Sequence, residues 1–182
     1  MQQIALDKDI KDLKVLIPEE EIVCKTKELG RIVDLSFKDT EEIIVICVLK
    51  GSVMFCTELV KHIENPVKME FIRISSYGND TRSTNSLKAI DLTLPHLEGK
   101  DVLIVEDIID TGLTAKFLID LINLEHKPKK LMFVSLLNKK CARKIDLEPD
   151  LYGFEVGDKF VVGYGLDYKG YFRNLSYIGY FP

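Results

Sequence analysis

Three short, mostly apolar runs constrain this chain more than anything else in it: "EEIIVICVL" at 41–49, "DVLIVE" at 101–106 and "KLMFVSLL" at 130–137. They are rich in branched side chains and lack polar alternation, the pattern of strands covered on both faces. Helical spacing separates them. "EEEIVCKTKELGRIVDLSF" follows Pro18, with acids in its first turn and an apolar face of Ile22, Leu29, Ile32 and Val33. "SVMFCTELVKHI" follows Gly51, and "AKFLIDLINLEH" is closed off by Pro128. "VKMEFIRI" and "LKAIDLTL" alternate and predict further strands around a polar loop, "SSYGNDTRSTNS"; "DLYGFEV" and "KFVVGYGL" predict shorter ones.

Buried strands joined by helical crossovers predict an α/β fold: a mostly parallel twisted sheet with helices on both faces. The 182 residues fit one domain, 1–182, with a small hood lobe formed by the N-terminal and C-terminal segments. Ligands of such sheets bind beyond the carboxyl ends of the strands. The exits at Lys50–Ser52, Glu106–Thr114, Asn138–Lys139 and Phe160–Asp167 are therefore expected to converge.

Charge excludes some partners. A net charge of −4 invites neither nucleic acid nor an anionic membrane, so any polyanion must be held by local arrangement. No apolar stretch approaches a membrane span, and "MQQIALDKDIKDLK" does not read as a signal peptide. Cys24, Cys47, Cys56 and Cys141 show no CxxC spacing, and Cys47 and Cys56 lie in apolar runs as reduced, buried thiols would. A reducing, cytoplasmic setting is expected. His62, His96 and His126 stand apart from any ligand pattern.

The stretch "VLIVEDIIDTGLTAKFLI" carries the chemistry. A strand running into "DTGLT" and then a helix gathers backbone N–H groups at the positive end of the helix dipole, a cradle for phosphate. Gly112 permits close approach, and Thr111 and Thr114 add hydroxyl donors. The lysine-bearing Walker loop is absent. Glu106 and Asp107 would repel phosphate, but suit the vicinal hydroxyls of a ribose or a Mg²⁺ held on them. A solvated strand end before an ordinary helix start, with Asp110 as its N-cap, is the plainer alternative.

That stretch resembles the 5-phosphoribosyl-1-pyrophosphate (PRPP) motif of the type I phosphoribosyltransferase family. "VLKGS" (48–52), "SSYGN" (75–79), "SLLNKK" (135–140) and "DKFVVGYGLDY…YFRNL" (158–175) are similar, in the same order, to its hypoxanthine-guanine members. The resemblance covers nearly the whole chain from the first long helix onward. It implies a Mg²⁺-dependent purine-salvage transferase. PRPP and a 6-oxopurine base, hypoxanthine or guanine, would give IMP or GMP and pyrophosphate, with inversion at the anomeric carbon.

The resemblance also implies roles. Asp110, beside N7 of the purine, is the general base, and Asp110, Thr111, Gly112, Leu113 and Thr114 hold the 5′-phosphate. Glu106 and Asp107 face the ribose hydroxyls. Lys50, Gly51 and Arg173 contact pyrophosphate, and the Leu49–Lys50 peptide can be cis. Ser76 and Tyr77 belong to a lid that keeps water from the reacting carbon. Lys139 donates to O6, disfavouring adenine; Phe160 stacks on the base; Val161 offers its carbonyl. Asp167 holds a second Mg²⁺, with Glu106 and Asp107 as further metal-binding carboxylates. Some members carry lysine where this chain has Leu113. Family precedent implies a homodimer or homotetramer. Two other classes fit the fold pattern: a non-catalytic nucleotide sensor on the same fold, and a flavodoxin- or receiver-like signalling domain. The second would place its acids at the first strand.

Overall fold

The computed structural model describes residues 10–76, 87–91 and 94–182. Its main sheet contains β2 (Ile43–Leu49), β3 (Val67–Ser76), β4 (Leu87–Asp91), β5 (Asp101–Ile109), β6 (Lys130–Asn138) and β7 (Leu151–Glu155), in the order β4-β3-β2-β5-β6-β7. The strands from β3 to β7 run parallel, and β4 pairs antiparallel with β3 at one edge. A three-stranded antiparallel sheet, β1 (Lys14–Ile17), β9 (Ile178–Tyr180) and β8 (Val161–Val162), joins segments from both ends of the chain.

Unbroken apolar runs make this sheet possible because both of its faces are buried. Along β2, Ile43, Val45 and Cys47 enter one core cluster while Ile44, Ile46 and Val48 enter the other. Helices α1 (Glu19–Ser36) and α2 (Val53–Val60) cover the first face through Ile22, Leu29, Val33, Phe55 and Leu59. Helix α3 (Leu113–Leu121) covers the second through Ala115 and Leu118, and continues as a π turn to His126 before Lys127 adopts a left-handed conformation. Cys47 and Cys56 are buried free thiols; Cys24 and Cys141 are exposed. Among the described residues no helix is long and apolar enough to cross a membrane.

The chain departs from the sequence reading in two places that matter. Strand β5 runs three residues past Glu106, because Ile108 and Ile109 still pair with Leu137 and Asn138 of β6. The acid pair therefore lies within the strand, and the turn begins only at Asp110. "KFVVGYGL" yields only the two residues of β8, in the small sheet. Gly163, Tyr164 and Gly165 all have positive φ and cannot extend a strand. Phe160–Asp167 is thus a loop brought over the main sheet, not one of its exits.

Connectivity decides where a ligand can sit. From β2 the chain crosses through α2 to β3 on one side; from β5 it crosses through α3 to β6 on the other. The connections diverge between β2 and β5, leaving a crevice at their carboxyl ends. At the amino ends a separate cavity of about 500 Å³ is lined by Thr40, Lys100, Asp101 and Lys129. There Asp101, 6 % exposed, accepts a hydrogen bond from Thr40 Oγ1 at 2.5 Å and lies 3.4 Å from Lys129 Nζ.

Candidate functional site

The crevice opens into a cavity of about 290 Å³ lined by Lys50 and Gly51 from the end of β2, Glu106 and Asp107 from β5, and the turn at Asp110, Thr111, Gly112 and Thr114. Asp167 and Arg173 line it from the overlying loop. A neighbouring cavity of about 170 Å³ shares Asp107, Asp110 and Asp167, and is completed by Lys139, Phe160 and Val161. The two cavities meet at those shared carboxylates. Leu113 is absent from the lining and only its backbone joins the turn. Ser76 ends β3, and Tyr77 lies outside the described residues.

A three-layer contact assembles the first cavity. The Leu49–Lys50 peptide is cis. Gly51 follows, pressed so closely on Asp107 that a Cβ there would stand 1.6 Å from Oδ2. On its other side, a Cβ at Gly165 (φ +99°) would fall 2.0 Å from the Gly51 carbonyl oxygen. Only glycine fits at 165, where the clash is with backbone, while a Cβ at 51 would push the Asp107 carboxylate aside. Arg173 locks the outer layer: Nη1 donates to the Gly165 carbonyl at 2.6 Å, and Nη2 lies 2.5 Å from Asp167 Oδ1. Asp167 in turn accepts from the Gly170 N–H at 2.6 Å.

At the turn, Gly112 (φ +84°) is the N-cap of α3, and no side chain caps the helix. Asp110 is therefore not the cap that the plainer reading made it. The uncapped helix start, with Thr111 and Thr114 lining the cavity, is a ready-made anion site. Leu113 N–H makes only a long 3.4 Å contact with Thr111 Oγ1. In the second cavity, Lys139 Nζ donates to the Lys159 carbonyl at 3.2 Å and lies 3.5 Å from Asp158 Oδ1. Phe160 is half exposed and meets Tyr168 edge-on at 5.8 Å. Lys140, beside it in sequence, instead pairs with Glu155 at the surface.

Glu106 and Asp107 are electrostatically strained. Burial pushes the Asp107 carboxyl up to about 6, although the Ile108 N–H at 3.0 Å and the Arg173 charge pull the other way. Glu106, 8 % exposed, is held well above the usual carboxylate range by burial and then by the Asp107 charge. Raised values mean that the folded chain holds protons the unfolded chain releases. The associated stability is full below about pH 4 and disappears as pH rises through about 6. Asp107→Asn is therefore expected to stabilise the fold by about 1–2 kcal/mol at pH 7.5 and by almost nothing at pH 4. Urea unfolding of both proteins at the two pH values checks this; an equal difference at both would contradict it.

The carboxylates also bear on metal binding. Among the described residues, no three carboxylate, histidine or cysteine side chains converge as a cage. Asp107 and Asp167 nevertheless offer hard oxygen donors to the cavity. That donor set suits Mg²⁺, which takes one or two carboxylates and fills its remaining positions with water and substrate phosphate.

Several lining residues had no signal in the sequence. Ile74 read as ordinary strand, and Val48, Leu49, Ile108 and Ala115 lay within the quoted motifs without a contact of their own assigned to them. Gly165 could have been suspected only as one of three glycines in the segment 163–170, the others being Gly163 and Gly170.

Comparison with known proteins bears on the same residues. The family model described as phosphoribosyl transferase domain matches residues 18–169. The hypoxanthine-guanine phosphoribosyltransferase of Bacillus subtilis (strain 168) is 49% identical over 166 residues, covering 91% of each chain. A crystal structure of the enzyme of that name from Bacillus anthracis superposes with a TM-score of 0.85 at 46% identity, covering 92% of this chain and 97% of the other. The hypoxanthine phosphoribosyltransferase of Staphylococcus aureus gives 0.88 at 40% identity, covering 94% and 93%.

Proposed function

The chain belongs to the phosphoribosyl transferase family, and from that membership we propose how its residues divide the work of one reaction. The enzyme is a purine-salvage pentosyltransferase. It moves a 5-phosphoribosyl group from PRPP to hypoxanthine or guanine, giving IMP or GMP and pyrophosphate. The observation that carries the assignment of roles is the pair of adjoining cavities that share Asp107, Asp110 and Asp167. One ends in a phosphate turn, the other in a lysine and an aromatic ring, and the reacting carbon belongs at their junction.

The 5′-phosphate rests on the backbone and hydroxyls of 110–114, with Leu113 contributing its backbone alone. Asp107 and Glu106 face the ribose hydroxyls, for which carboxylate oxygens are acceptors. Lys50, Gly51 and Arg173 receive the pyrophosphate. The base stacks on Phe160 with O6 toward Lys139 and its edge along the Val161 carbonyl. Lys139 is a donor only, so adenine's amino group would meet it donor against donor. Asp110 takes the purine proton as nitrogen bonds to the sugar.

Mg²⁺, held by Asp167 and by the Glu106–Asp107 side of the cavity, would neutralise charge on the departing pyrophosphate. The protein's own share is orientation and fixed positive charge from Lys50 and Arg173. Ser76 and Tyr77 belong to the lid of the same proposal. So do one catalytic unit spanning 1–182 with its hood, a cytoplasmic location and assembly as a homodimer or homotetramer.

Incubation with PRPP, Mg²⁺ and each base tests the reading. IMP and GMP should form in step with pyrophosphate, and adenine should yield no AMP. Turnover of adenine at a comparable rate would overturn the Lys139 assignment, and no product with any base would overturn the function.

A further inference from the structure

The link from β6 to β7 passes directly behind the phosphate turn. After a 3₁₀ turn at Lys140–Ala142, Lys144 N–H donates to the Thr111 carbonyl at 3.0 Å. Arg143 Cδ and Ile145 Cγ1 lie 3.2 and 3.0 Å from where a Cβ of Gly112 would stand. The Arg143 guanidinium does not line the cavity. Its Nη2 donates to Asn138 Oδ1, and Asn138, fully buried, donates through Nδ2 to Glu148 Oε2 at 2.8 Å. Nε and Nη1 of Arg143 are buried, and among the described residues neither finds an acceptor.

Two buried, unsatisfied donors on a half-buried cation are unfavourable for the fold itself. A methionine would fill the same space without that penalty. The arrangement becomes reasonable when an anion sits on the far side of the turn. Four carboxylates, Glu106, Asp107, Asp110 and Asp167, line the cavity against two cations, Lys50 and Arg173, and Arg173 is already paired with Asp167. At 113, inside the turn, the side chain is leucine.

We propose that Arg143 is a positioning residue for the 5′-phosphate. Its stem braces Gly112, and its guanidinium, anchored by Asn138, adds positive charge from behind the turn to a cavity in which carboxylates outnumber cations. The inference rests on the reading of 110–114 as the phosphate cradle, and the experiment separates the two. Binding of GMP and of guanosine, which differ only in the phosphate, is measured by titration for the native chain, Arg143→Met and Arg143→Lys.

Arg143→Met should weaken GMP about tenfold, the scale of one full charge acting through the turn, and leave guanosine unchanged. Arg143→Lys should recover most of the loss. If Arg143→Met does not fold, Arg143→Gln carries the same expectation. Equal weakening of both ligands, or unchanged GMP affinity, overturns the inference. A native chain that binds GMP no better than guanosine overturns the cradle reading beneath it.

Discussion

Replacing Gly165 with alanine is expected to lower kcat/KM for PRPP about a thousandfold while leaving the main sheet folded. The added methyl would stand 2.0 Å from the Gly51 carbonyl oxygen, at a φ of +99° that L-residues rarely adopt. No rotamer relieves a clash between one Cβ and another residue's backbone, so the loop must lift off Gly51. Arg173 is tied to the Gly165 carbonyl and to Asp167, so it would lift too. Displacing reacting groups by about 1 Å can reduce a rate about a hundredfold, and here two sides of the cavity shift. Gly51→Ala attacks the same stack from within, by driving Asp107 Oδ2 out of place. Steady-state kinetics beside circular dichroism and thermal melting checks both variants. Activity within tenfold of native, with the fold intact, would refute the idea that this three-layer contact builds the site.

For Asp110→Asn, turnover is expected to drop by roughly a hundredfold or more, the range for a lost general base, while KM for PRPP changes less than about threefold. Asparagine preserves the shape and most hydrogen bonding of aspartate but cannot accept the purine's proton. The substitution also separates catalysis from helix capping. The cap of α3 is Gly112, so Asp110 is free of that duty, and asparagine would in any case serve as well there. Thermal stability should therefore stay constant as turnover falls. A weakened PRPP affinity with unchanged turnover would move Asp110 from proton transfer to sugar binding.

How far the sequence led follows from the range of each signal. Strands β2, β5 and β6 were legible because burial on both faces demands unbroken apolar runs, and no polar residue could hide that demand. Their helical crossovers then fixed the crevice in advance. The turn into α3 was legible because its residue types are dictated locally. Contacts between distant segments were not. Nothing in "VLKGS" or "VVGYGL" says that Gly51 and Gly165 touch, since each glycine alone reads as a bend. The end of β5 was misplaced because Asp107 looks like a terminator until Ile108 and Ile109 are seen pairing with β6. Arg143 lay in a segment with no distinctive pattern. Its meaning depends on an absence, two N–H groups without acceptors, that only three dimensions can display.

The buried Asp101 and its partners Thr40 and Lys129 sit at the amino edge of the sheet, a full strand length from the crevice. None of the three lines the crevice, so replacements among them can change how firmly the sheet is held while leaving untouched the side chains that line the opposite end.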